Sequence, residues 1–209
     1  MNRRTLIAAA LALAAPGSIA FAQVQALPKE DRALVDQAGA YLEGLKMAKG
    51  RFVQTNSRGA MSAGVIYIDR PGKARFEYDP PAQMTVVADG RNVAVYDQRL
   101  KTFDRYPLGA TPLGIFLSRR IRFDDQVKVD RVIHSDLGFA VAMSDARGQA
   151  DGRLVLEFTA NPVTLTGWTV VDQQGIETHV RLDGFMPVEG LDPALFVLAD
   201  PRKAAPAAP

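Results

Sequence analysis

Beyond Gly50, apolar and polar residues alternate with a period of two through most of the chain. That is the pattern of strands that turn one face to a core and the other to water. It predicts strands over residues 51–55, 60–69, 73–78, 83–88, 92–96, 102–106, 127–134, 139–143, 153–159, 164–171 and 176–183. Turn-forming runs separate them: Asn56-Ser57-Arg58-Gly59, Arg70-Pro71-Gly72, Pro80-Pro81, Asp89-Gly90, Leu137-Gly138 and Gln173-Gln174-Gly175. Short strands joined by tight turns predict a mainly β fold with minor α, an antiparallel meander of about ten to eleven strands. In the last strand Ile176, Val180 and Leu182 are expected on one face, and Glu177, His179, Arg181 and Asp183 on the other. Val65-Ile66-Tyr67-Ile68 and Trp168-Thr169-Val170-Val171 are apolar on both faces, so covering helices are expected there.

Two segments carry helical spacing instead. Leu34, Ala38, Tyr41, Leu42 and Leu45 form one stripe, with Glu30 and Asp31 in the first turn and Lys46 and Lys49 in the expected last turn. This charge arrangement suits the helix dipole, and Gly50 is the expected stop. The second segment is shorter. Thr111 is a candidate cap, Pro112 suits the first helical position, and Leu113, Ile115, Phe116 and Leu117 follow before Arg119-Arg120 and Arg122. So short a helix is marginal alone, so it must lie on an apolar surface. A curled meander with helices over its inner face would form a closed or an open barrel able to hold an apolar ligand.

The first residues read as an export signal rather than as fold. Arg3 and Arg4 precede an apolar run from Leu6 to Ala15, and Ala20-Phe21-Ala22 gives the small-x-small pattern for cleavage before Gln23. Residues 1–22 are therefore expected to be removed, 23–202 to form a single domain, and the Ala/Pro-rich residues 203–209 to be a disordered tail. There is no cysteine, which excludes disulfides and an N-terminal lipidated cysteine. The 25 Lys+Arg face 23 Asp+Glu. Loss of Arg3 and Arg4 brings the balance to zero, which argues against a nucleic-acid partner.

No reaction centre is apparent. His134 and His179 stand alone in separate strands, so no metal site is expected and both are read as structural. A nucleophile elbow and a phosphate-binding glycine loop are missing from the sequence. Asp124-Asp125 reads as a solvated loop pair, and Glu77, Asp97, Asp104 and Glu157 as ordinary strand charges rather than an acid/base pair. No catalytic residue, metal or cofactor is expected. An apolar-lined sheet without chemistry points to a binder.

An ordered set of motifs narrows this. Gly64-Val-Ile-Tyr-Ile-Asp-Arg-Pro-Gly-Lys-Ala-Arg-Phe-Glu-Tyr-Asp-Pro-Pro, ending at Pro81, resembles the strand, Arg-Pro and aromatic-x-aromatic stretch of the LolA family of lipoprotein carriers. Phe52-Val53-Gln54, Val86-Val87-Ala88-Asp89-Gly90, Val95-Tyr96-Asp97, Thr111-Pro112-Leu113 with Ile115-Phe116-Leu117, and Leu191-Asp192-Pro193-Ala194-Leu195-Phe196 resemble further family motifs in the family's order.

The resemblance implies an unclosed antiparallel β-barrel, a half-barrel, with a helical lid. It also implies a monomeric periplasmic carrier that takes lipoprotein acyl chains from an ATP-driven inner-membrane complex to the outer membrane, with or without a separate receptor there. Arg70 and Pro71 would form the lid latch, and Pro112, Leu113, Ile115, Phe116 and Leu117 the lid helix. Phe52, Phe76, Tyr78, Phe103, Met143, Phe158 and Trp168 are the candidate lining of a roomy acyl cavity. Ala74 and Gly114 depart from the bulkier family residues and are expected to leave space and loosen the lid. The alternatives are a carrier of free lipids or other hydrophobic small molecules, and a non-transporting envelope sensor.

Overall fold

The computed structural model describes residues 27–119 and 127–201. The expected export signal, the tail after residue 202, and Arg120, Arg122, Asp124 and Asp125 lie outside the described residues.

Helix α1 runs Lys29–Gly44. Its buried stripe is Val35, Ala38 and Leu42, flanked by the partly buried Leu34 and Tyr41. Glu30 and Asp31 occupy the first turn as expected, but no basic residue lies in the last. Leu45 is already extended and strand β1, Met47–Asn56, begins two residues later. Gly50 is thus not a helix stop. It sits at a bulge in β1, where the pairing with the last strand shifts between Lys49 and Arg51. A Cβ on Gly50 would meet the Phe185 backbone at 2.7 Å, so the glycine serves a close strand approach.

The remaining strands are β2 (Met61–Asp69), β3 (Lys73–Tyr78), β4 (Met84–Asp89), β5 (Asn92–Asp97), β6 (Thr102–Pro107), β7 (Val127–Ser135), β8 (Gly138–Asp145), β9 (Arg153–Ala160), β10 (Val163–Val171) and β11 (Glu177–Pro187). They form one sheet in the order β6-β5-β4-β3-β2-β1-β11-β10-β9-β8-β7. Every pairing is antiparallel, and β1 joins the two meanders through β2 and β11. The sheet does not close, because β6 and β7 are its opposite edges. The link between those edges carries a short 3-10 turn, Leu108–Ala110, and helix α2, Pro112–Leu117. The half-barrel follows directly. One meander ends at one edge, and the chain crosses the concave side to begin the second at the other.

Register sorts the strand residues into two faces. The inner face carries Phe52, Ile66, Ile68, Ala74, Phe76, Val141, Met143, Leu156, Phe158 and Trp168, all buried in one cluster with the apolar residues of both helices. Helices therefore cover one face only, not both. On the outer face of the first meander a separate set is buried: Thr85, Val87 and Ala94. The 3-10 turn Pro193–Phe196 lies over it, with Phe196 3 % exposed. Arg75 Nη1 donates to the Leu195 carbonyl at 3.0 Å and holds that turn in place. Ile176 precedes β11 and is 50 % exposed, so only Val180 and Leu182 of its expected set turn inward.

Candidate lid and latch over the inner face

Arg70 opens the β2 to β3 connection beneath both helices and is only 9 % exposed. Its Nη1 donates to the Leu42 carbonyl in the last turn of α1. Its Nη2 donates to the Ser118 carbonyl, the residue after α2, at 2.7 Å. Both acceptors belong to helix C-terminal ends, where carbonyls lack intrahelical donors and carry the negative end of the dipole. One planar cation therefore ties two helix ends to one turn. The turn adds its own backbone: the Gly72 N–H donates to the Leu117 carbonyl at 2.8 Å, and the Arg70 N–H to the Lys46 carbonyl at 2.8 Å. The guanidinium carbon also lies 6.0 Å from the Phe116 ring centroid.

The latch is not free of cost. Arg70 Nε is buried with no hydrogen-bond partner, a desolvation penalty of roughly 1–3 kcal/mol. Burial also pulls the Arg70 pKa down, and the nearby charge of Glu43 opposes that. A guanidinium has protons bound far above neutrality, so it stays charged regardless. It is held by two charge-assisted bonds while part of it is starved of solvent.

Beneath the latch, an unbroken run of ring contacts links lid to sheet. Phe116 stacks on Trp168 at 5.5 Å between centroids, Trp168 meets Phe76 at 6.2 Å, Phe76 meets Phe52 at 5.6 Å, and Phe52 meets Tyr78 at 4.9 Å. The Tyr78 hydroxyl donates to Gln54 Oε1 at 2.7 Å, and burial pushes its pKa up to about 12 despite that bond. Helix α1 has its own ring contact, Tyr41 edge-on to Phe158 at 6.0 Å. At its other end, Asp31 Oδ1 lies 2.8 Å from His134 Nε2 on the edge strand β7.

Of the expected lining, Phe52, Phe76, Tyr78, Met143, Phe158 and Trp168 come together on the inner face. Phe103 does not. It pairs with Tyr96, which pairs with Thr85, and that row faces outward with Glu77. A hydrophobic residue on an edge strand gives no sign of its face; only the register does. The expected roomy hollow is also not open here. Ile115, Phe116 and Leu117, together with Val35, Ala38 and Leu42 of α1, fill the inner face with their own side chains.

Pro112–Leu117 is helical as expected, but two local readings change. The Thr111 hydroxyl does not cap the helix; it donates back to the Leu108 carbonyl at 2.8 Å. Gly114 does not loosen the lid. A Cβ there would lie 2.5 Å from the Leu108 carbonyl oxygen, so glycine lets α2 fold tightly against the turn before it. Ala74 is completely buried against Ile68 and Ala88 and opens no space to solvent. The part of the site that the sequence hid is Leu42. Its contribution is a carbonyl, and nothing in a side chain marks it. His134 and His179 each pair with one carboxylate, Asp31 and Glu157, and Glu77 pairs with Arg75.

An open antiparallel sheet whose concave face is covered by two latched helices defines the half-barrel class with a helical lid. Residues 43–199 match the family profile described as outer membrane lipoprotein carrier protein LolA. The chain belongs to that family. It is 27 % identical over 180 residues to an outer-membrane lipoprotein carrier protein of Chromobacterium violaceum, covering 80 % of this chain and 84 % of that one. A carrier protein of the same description from Cupriavidus pinatubonensis is 31 % identical over 127 residues, 55 % of this chain and 57 % of that one. Among solved structures, a DUF1329 family protein from Desulfovibrio piger superposes with a TM-score of 0.52 at 12 % identity, over 79 % of this chain and 96 % of that one. At that identity the likeness is one of fold alone.

Proposed function

We propose that this protein is a periplasmic carrier that shelters lipoprotein acyl chains against the inner face of its sheet, taking them up near the inner membrane and releasing them at the outer. Family membership supports the cargo class. The observation that carries the reading is Arg70, which bonds the ends of both covering helices at once. A cover whose two helix ends share one displaceable side chain can be released as a unit, as a lid must be. In this reading α2 and α1 swing off the inner face when cargo enters, and the lining rings exchange helix side chains for acyl chains.

Magnitudes permit the exchange. Burial of Ile115, Phe116 and Leu117 is worth roughly 5–9 kcal/mol at about 1.5–3 kcal/mol each. An acyl chain of about fifteen methylenes gains roughly 12 kcal/mol on leaving water. The two terms are comparable, so a latch of a few kcal/mol decides which state prevails. The chain needs neither cofactor nor catalysis for this. Donors and acceptors of cargo are the inner-membrane ATP-driven releasing complex and the outer membrane or a receptor on it.

The test is transfer in vitro. The purified protein is loaded with a triacylated lipoprotein and mixed with acceptor membranes. Recovery of a one-to-one soluble complex, followed by delivery to the acceptor, supports the reading. Failure to form such a complex with any triacylated lipoprotein, while free fatty acids or other small apolar molecules bind the inner face, favours the small-molecule carrier instead.

A further inference from the structure

The two halves of the outer face are treated differently. Over β3 and β4 the Pro193–Phe196 turn covers the apolar residues. Over β7 to β10 none of the described residues covers the corresponding face, which holds a cavity of about 600 Å³, inside the range of small-molecule sites. Ala140 and Val155 are apolar residues of its lining, with Glu157 beside Ala140 in register. Ala140 and Val155 lie one on each of the paired strands β8 and β9, on the side of the sheet away from Val141 and Leu156. Ile133 and Leu137 rise at one side, 39 % and 86 % exposed. Outward positions on β8 are small, Gly138 and Ala140, between the taller side chains of β7 and β9. With strands about 4.8 Å apart, the trough over β8 between those flanking side chains is about 10 Å across.

Its charges are unequal in commitment. Arg153 is paired to Asp130 at 3.1 Å. Glu157 accepts from Thr169 at 3.3 Å and lies 3.2 Å from His179. Arg131 lines the same cavity and has no ion-pair or hydrogen-bond partner among the described residues. In register it stands beside Ala142, two residues along β8 from Ala140. The unpaired carboxylate of the lining, Glu177, belongs to β11, four strands away at about 19 Å.

We propose that this outer trough is a second binding site, separate from the lid-covered inner face, for a single-chain fatty acid. Its carboxylate pairs with Arg131, and its chain lies over Ala140 and Val155 toward Ile133 and Leu137. Arg131, unpaired among the described residues, selects an anionic head. A site of this kind makes the carrier responsive to free fatty acid without competition at the inner face.

The single tryptophan makes the site distinguishable. Trp168 is 4 % exposed and stacked on Phe116 on the inner face. The purified protein is titrated by calorimetry with 9,10-dibromooctadecanoate, whose bromines quench tryptophan on contact. The expected result is one-to-one binding with Trp168 emission unchanged. Affinity should fall tenfold or more in Arg131→Glu and in Ala140→Trp, and the alkyltrimethylammonium of equal chain length should bind at least tenfold more weakly. Arg131 is exposed, so its variant reports even if Ala140→Trp does not fold. Absence of binding, quenching of Trp168 on binding, or equal affinity for the two head groups or for Arg131→Glu would overturn the proposal. Absence of binding, or indifference to Arg131→Glu, leaves the proposed lipoprotein carriage untouched, whereas Trp168 quenching places the fatty acid on the inner face and counts against that reading only if lipoprotein loading also fails.

Discussion

Replacing Arg70 by leucine removes the one side chain that holds both covering helices. The variant loses two charge-assisted hydrogen bonds, to Leu42 and Ser118, at about 1.5–3 kcal/mol each. It also loses the cation over Phe116, about 0.5–2 kcal/mol. Against this, it removes the buried unpartnered Nε, recovering about 1–3 kcal/mol. The closed state is therefore weakened by roughly 2.5–5 kcal/mol relative to the open one, a shift of about 70- to 5000-fold in lid population. The consequence for cargo is asymmetric. In the proposed carrier cycle, closing of the empty lid helps drive cargo out, so weakened closure is expected to leave loading intact and to make release uphill by the same amount. Arg70→Lys should be intermediate, because one ammonium cannot present the planar fork that reaches both carbonyls. The assay is loading with triacylated lipoprotein followed by transfer to acceptor membranes, with circular dichroism to verify the fold. Transfer by Arg70→Leu at the rate of the unaltered protein, with the fold retained, would refute the latch.

Three further outcomes follow from the geometry. Gly114→Ala places a Cβ 2.5 Å from the Leu108 oxygen; it should cost about 1–3 kcal/mol, read as a lower Tm and stronger binding of a hydrophobic dye to the undocked lid. Phe116→Ala removes the ring stacked on Trp168 and should cost about 3–5 kcal/mol, with a measurable change in the emission of the single tryptophan. Tyr78 is raised from 10.0 to about 12 by burial, so folding favours its protonated form. Its contribution is whole below pH 10 and is lost as pH rises through 12, a fall of roughly 2–3 kcal/mol in stability. Urea unfolding of Tyr78→Phe across that window should show this component gone.

Some local readings failed for a shared reason. Gly50, Gly114 and Thr111 were assigned roles from residue type, as helix stop, lid breaker and cap. Each role is fixed instead by what stands a few ångströms away: the Phe185 backbone for Gly50 and the Leu108 carbonyl for the other two. Phe103 failed through parity, because a one-residue choice of register turns every side chain of an edge strand to the opposite face. Leu42 was invisible because its part in the latch is a backbone oxygen.

The chain alone determined its strands, its two helices and its family. Eleven segments of period two, turn residues between them and two stretches of helical spacing are local properties, and local chemistry writes them directly into residue order. Tertiary structure alone decided that the sheet stays open, that the inner face is filled by helix side chains, and that Arg70 spans Leu42 and Ser118 across 28 and 48 residues of chain. Those features depend on which distant groups are brought within hydrogen-bond and packing distance. No local pattern encodes such distances, because they arise only when the two meanders meet along β1 and β11.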